Sequence, residues 1–170
     1  PHNTVPITSA IDPLGSRIAV ANDVAFAFSY PSIVQGWRDQ GAEVIPFSPL
    51  SGDTINETCD AIYLPGGYPE LHAGTLAANG FLDGLRRAAQ RQVSIYGECG
   101  GFMVLGQGLI DARGTRHRMA GLLPVETNFM QPKLQLGYRQ VTLLEDTLIG
   151  KQGHRFRGHE FHYASITNKA

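Results

Sequence analysis

The chain has little of what marks several protein classes. It holds two cysteines in 170 residues and no Cys-x-x-Cys pair. A disulfide scaffold is therefore excluded, and Cys59 and Cys99 suit a reducing cytoplasm. Charge is sparse and balanced, at 17% of residues with a net charge of -1. That leaves no basic footprint for nucleic acid and no acidic tail. No apolar run approaches the ~20 residues of a membrane helix. The opening Pro1-His2-Asn3-Thr4 carries no charged segment ahead of an apolar one, so no signal peptide is expected. It also lacks an initiator Met, as an excised piece would. No Gly-x-x-x-x-Gly-Lys-Ser/Thr loop is present to cradle nucleotide phosphates.

What is present is a 42% hydrophobic chain of single-domain length. Residues 1–16 hold three prolines and no period, and read as a tail or interdomain linker before a domain at 17–170. Short apolar runs at Arg17–Ala21, Glu43–Phe47, Asp60–Leu64 and Val93–Tyr96 read as strands. Helical spacing over Ser32–Gln40, Pro69–Ala78 and Phe81–Arg91 separates them. Such alternation predicts an α/β fold with a doubly wound, mostly parallel sheet. After Gly121, strand-like stretches at Leu122–Phe129, Leu136–Leu144 and Arg155–Ile166 predict antiparallel additions to it.

The chemistry centres on Gly97-Glu98-Cys99-Gly100-Gly101, between the fourth strand and a helix-like run. The Gly-x-Cys-x-Gly pattern is the thiol counterpart of a serine nucleophile elbow. The helix start behind the thiol is expected to lower its pKa. A second turn, Pro65-Gly66-Gly67, follows the third strand, and its N–H groups are placed to face an oxyanion. Ligands of doubly wound sheets lie at the carboxyl ends of strands, so both turns fall on one rim. Cys59 reads as a packing residue. The aromatic segment Phe26–Tyr30 reads equally as a flap over the sheet end or as a wall of the site.

A thiol needs a base. Gly158-His159-Glu160-Phe161-His162-Tyr163 offers two histidines, and strand alternation puts Glu160 and His162 on one face, His159 and Phe161 on the other. Either histidine fits as base. Facing opposite ways, with no Cys or Asp to complete a set, they do not read as a metal site. His117, in a polar stretch, reads as a solvated loop residue. A nucleophilic thiol, an oxyanion turn and a late histidine on one rim point to acyl transfer through a thioester.

Leu64-Pro65-Gly66-Gly67-Tyr68-Pro69-Glu70-Leu71, Gly97–Leu105, Met119–Leu123, Leu136-Gly137-Tyr138-Arg139 and Gly158–Tyr163 resemble class I glutamine amidotransferase domains. The narrower likeness is to the glutaminase domain of cobyrinic acid a,c-diamide synthases. The resemblance implies Cys99 as nucleophile and His162 as its base. It also implies Gly66, Gly67 and Gly100 as oxyanion and glutamine-binding positions. Most class I relatives carry a glutamate two residues after that histidine, where Ala164 stands here; Glu160 is the expected substitute for orienting the ring. The resemblance further implies glutamine as substrate, no cofactor or metal in this domain, and a cytoplasmic place. An ATP- and Mg-using synthetase domain, absent from this chain, would carry a tetrapyrrole acceptor and receive the ammonia. Cobyrinic or hydrogenobyrinic acid is the expected acceptor, with nickel-sirohydrochlorin as the alternative. A silent docking relative is the reading from another class.

Overall fold

The structure is a computed structural model that describes residues 11–169. Most of the expected 1–16 tail therefore lies outside the described residues. Four strands form the main sheet: β1 (Arg17–Ala21), β2 (Glu43–Phe47), β3 (Ala61–Leu64) and β4 (Ser94–Gly97). They pair in the order β2-β1-β3-β4, all parallel. β1 and β3 are short and apolar and are buried on both faces, as central parallel strands must be.

The crossovers cover both faces of this sheet. Helix α1 (Pro31–Asp39) starts on a proline, whose fixed φ suits a first turn, and gives way to Gly41 at φ +91°. It seats Trp37 against Ile18, Val20 and Tyr63 on one face. Helices α2 (Ala73–Ala78), α3 (Phe81–Gln90) and α4 (Gly100–Leu105) lie on the other. There Leu76, Phe81, Leu85 and Val104 pack on Ile62 and Leu64. Each such buried side chain contributes about 1.5–3 kcal/mol of transfer energy. The sheet is thus doubly wound. Chain leaves β1 and β3 to opposite faces, which opens a crevice between their carboxyl ends.

The antiparallel additions are a separate layer. β5 (Gly108–Ile110), β6 (Arg116–Arg118), β7 (Val125–Asn128) and β10 (Ser165–Lys169) form a second sheet, ordered β10-β7-β5-β6. β8 (Gln135–Thr142) and β9 (Arg155–His162) form a two-stranded ribbon. The single final strand expected over Arg155–Ile166 is therefore two. It breaks at Tyr163–Ala164, where the chain passes from the ribbon to the second sheet and buries Ala164. His117 is also not a loop residue. It lies on β6 with its ring 3.0 Å from a carboxylate oxygen of the buried Asp111.

Candidate active site

The elbow is built by close approach. Cys99 has φ +49° and ψ -111°, and among the described residues Gln92 is the other non-glycine with positive φ. Strain of that kind persists only where the surroundings enforce it. Here they do: a Cβ on Gly101 would lie 2.0 Å from the Leu64 carbonyl oxygen, and one on Gly97 would lie 2.8 Å from the Gly101 carbonyl carbon. The turn is wedged against the end of β3, and no side chain fits on either flank.

Opposite the elbow, the Gly66–Gly67 turn is held just as closely. A Cβ on Gly67 would come within 2.1 Å of the Ala25 carbonyl oxygen. A Cβ on Gly66 would stand 3.3 Å from that of Cys99, closing the space before the thiol. Both turns fall on the same rim, at the carboxyl ends of β3 and β4. The elbow and the turn meet here: a Cβ on Gly100 would lie 3.1 Å from the Gly67 backbone nitrogen. Gly66, Gly67 and Gly100 thus all border Cys99.

The thiol pKa departs from the expectation. Desolvation raises it most, and the Gly100 and Gly67 N–H groups then pull it down. Glu70 and Glu98 push it up again, and the net direction is upward. Cys99 still keeps a face open to solvent, whereas Cys59 is buried.

Glu98, which sequence reasoning passed over, anchors the floor. Its carboxylate accepts a hydrogen bond from the Tyr63 hydroxyl, and Tyr96 lines the same cavity as these two. Desolvation raises the Glu98 pKa, and Tyr63, His159 and Tyr96 only partly offset this. Burial, with Glu98 next, pushes Tyr96 up to about 12. The available signal was positional: Tyr63 and Tyr96 are register partners one residue before the ends of adjacent strands.

The two histidines flank Cys99. An open cavity of about 540 Å³ is walled by Phe28, Tyr30, Gly66, Glu98, His159 and Phe161 beside Cys99. A small cavity of about 20 Å³ lies between Cys99, Gly67, Glu70 and His162, room for roughly one water. Another cavity, of about 680 Å³ near Phe47, Ile55 and Arg87, shares no residue with either. Phe28 and Tyr30 are thus walls of the site, whereas Phe26 is core, edge-on to Phe81.

His162 and Glu160 share a face of β9, and Nε2 lies 2.8 Å from Glu160 Oε1. Nδ1 lies 3.0 Å from the Ala164 carbonyl oxygen. No hydrogen bond joins His162 to Cys99 among the described residues; the sulfur lies 3.7 Å from the Phe161 carbonyl oxygen. His159 Nε2 is 3.4 Å from the Tyr30 hydroxyl.

Residues 17–170 match the model of the CobB/CobQ-like glutamine amidotransferase domain. The chain belongs to that family. It is also similar to the hydrogenobyrinate a,c-diamide synthase of Mesorhizobium japonicum, 54% identical over 93% of this chain and 36% of that protein. The enzyme of the same name from Agrobacterium fabrum is 52% identical over 94% of this chain and 36% of its own length. That from Brucella abortus is 54% identical over 99% and 38%. The chain thus spans little more than a third of these curated relatives. A solved glutamine amidotransferase superposes with a TM-score of 0.57, covering 92% of this chain and 75% of its own, at 14% identity. That likeness bears on the fold. No described helix of this family member is long and apolar enough to cross a membrane.

Proposed function

We propose that this chain is the ammonia-supplying unit of a hydrogenobyrinate a,c-diamide synthase in cobalamin biosynthesis. Cys99 hydrolyses glutamine, and an ATP- and Mg-using unit outside this chain activates the a and c carboxylates that take up the ammonia. The names of the relatives favour hydrogenobyrinate as acceptor. The observation that carries the chemistry is an exposed Cys99 on a strained elbow, packed against the Gly66–Gly67 turn with the Gly67 and Gly100 backbone N–H groups beside it.

Neutral His162 takes the Cys99 thiol proton as the sulfur attacks the side-chain amide carbon of glutamine. The carbonyl oxygen becomes an oxyanion beside the two N–H groups; losing one such donor costs about 2.7–4 kcal/mol in comparable sites. The His162 imidazolium gives a proton to the amide nitrogen, the C–N bond breaks, and ammonia leaves. Neutral His162 then takes a proton from water as its oxygen attacks the thioester. The C–S bond breaks, the imidazolium returns its proton to the leaving sulfur, glutamate leaves, and the thiol and neutral imidazole are restored. His162 needs only to exchange one present acceptor for the reacting atoms. The small cavity it shares with Cys99 is where that exchange takes place.

The test is glutamine-dependent release of glutamate and ammonia by the chain, with and without the ATP-using unit of a relative, comparing wild type with Cys99→Ala. Wild type turns over glutamine, faster when the partner and its acceptor are loaded, and Cys99→Ala falls by more than about a thousandfold. Equal rates for the two proteins overturn the reading.

A further inference from the structure

The Leu136-Gly137-Tyr138-Arg139 stretch has no part in the chemistry described so far, yet its strand lies directly against the histidine strand. In the β8–β9 register Gln135 stands opposite His162, Gly137 opposite Glu160, and Arg139 opposite Gly158. Directly opposed residues share a face. Gly137 and Arg139 therefore lie on the face that carries Glu160 and His162.

On that face one carboxylate joins two side chains. Arg139 Nη2 is 2.5 Å from Glu160 Oε2, and His162 Nε2 is 2.8 Å from Glu160 Oε1. The guanidinium also donates to the Tyr138 carbonyl oxygen at 3.1 Å, which folds it back along its own strand. That fold needs the space at Gly137: a Cβ there would lie 2.7 Å from Arg139 Nη1. The obstacle is the far end of a flexible side chain, so a residue at 137 would displace Arg139 and leave the backbone in place.

We propose that Arg139 is the positioning residue for His162. It acts through Glu160, and Gly137 is the vacancy that lets it reach. The Arg139–Glu160–His162 chain here takes the place of the glutamate that would follow the histidine by two residues. Without the guanidinium, the Glu160 carboxylate has a free oxygen and a free rotor, and the imidazole it holds swings with it. His162 first, and Arg139 after it, keep Glu160 ionised below the usual carboxylate range, as a carboxylate held from both sides would be. The Arg139 and Glu160 side chains are 52% and 30% exposed, and ion pairs so placed contribute little to stability. Their loss is read in the reaction and not in folding.

The inference rests on His162 as the partner of Cys99, so the experiment carries two readouts. Glutamine hydrolysis is compared in wild type, Arg139→Gln, Arg139→Lys, Gly137→Val and Tyr138→Ala. The ring ¹⁵N signals of His162 are recorded for the same proteins. Arg139→Gln and Gly137→Val lower kcat by about tenfold, the order seen when an outer partner of an oriented imidazole is removed. KM for glutamine stays within about twofold. Arg139→Lys restores part of kcat, and Tyr138→Ala, whose side chain is 92% exposed, leaves it unchanged. The His162 signals move in the two impaired variants only. Arg139→Gln with full kcat and unmoved ring signals overturns the proposal. Wild type without glutaminase activity overturns the functional reading instead, while the ring signals still decide whether Arg139 positions His162.

Discussion

Gly101 and Leu64 meet so closely that a methyl group on the glycine would sit 2.0 Å from the leucine carbonyl oxygen. The neighbouring turn backbone, not a side chain, is what gives the elbow its shape. The obstacle is rigid and cannot turn aside. Gly101→Ala is therefore expected to lower stability by about 2 kcal/mol or more, in the upper range for overpacking. Urea unfolding with an unchanged m-value checks it. A midpoint equal to that of wild type would show that the elbow is not wedged against β3.

Cys99 and Cys59 are expected to differ sharply toward iodoacetamide. Cys99 is open and Cys59 buried, and the pKa of each is raised, chiefly by desolvation. A raised thiol pKa means that the thiolate accumulates only above the usual thiol range near about pH 8.5. Labelling of Cys99 in the free chain should therefore keep accelerating beyond that pH, with Cys59 untouched until the chain unfolds. Peptide mapping over a pH series reads both. A Cys99 rate that levels off near neutral pH would contradict the upward shift.

The Asp111–His117 pair gives a stability term that depends on pH. His117, the largest cause, and the Thr115 and Arg113 N–H groups hold the Asp111 pKa below its ordinary value. A folded pKa below the unfolded one stabilises fully above the unfolded value of about 3.9 and is lost as pH falls through the folded one. The thermal midpoint of wild type should drop on acidification below about pH 4, and Asp111→Asn should start lower and drop less steeply. Parallel curves for the two proteins would remove Asp111 from the account.

Glu160→Gln keeps the size of the side chain and removes its charge. The expected result is a fall in kcat for glutamine hydrolysis of about tenfold or more, with little change in KM. His159→Ala, on the other face of β9 beside Tyr30, tests the competing base. It should cost less than His162→Ala. The reverse order would move the base to the open cavity.

Much of the fold was legible because its central strands are local apolar runs. Arg17–Ala21 and Glu43–Phe47 are strands with the bounds that their composition suggests. The elbow glycines and the Pro65-Gly66-Gly67 turn were legible because few residues other than glycine fit there. The short strands β5 and β6 were not. Three residues carry too little period, and the parallel partner of Gly108–Ile110, Val125–Asn128, lies beyond β6 in the chain. The Arg116–Arg118 strand hides among charged residues for the same reason. Within the site, Glu98 and Arg139 escaped notice because each depends on a cross-strand register, Tyr63 beside Tyr96 and Gly137 beside Glu160. Alternation alone did place Glu160 and His162 on one face, since that needs no partner strand.

The central claim is that Cys99 is the residue that attacks glutamine. Its most direct measurement is intact mass and peptide mapping after treating the native chain with a glutamine-derived chloroketone. One adduct is expected, on Cys99, slowed by excess glutamine and absent from Cys99→Ala, while Cys59 stays unmodified. An adduct on Cys59 instead, or labelling that glutamine does not slow, would contradict it.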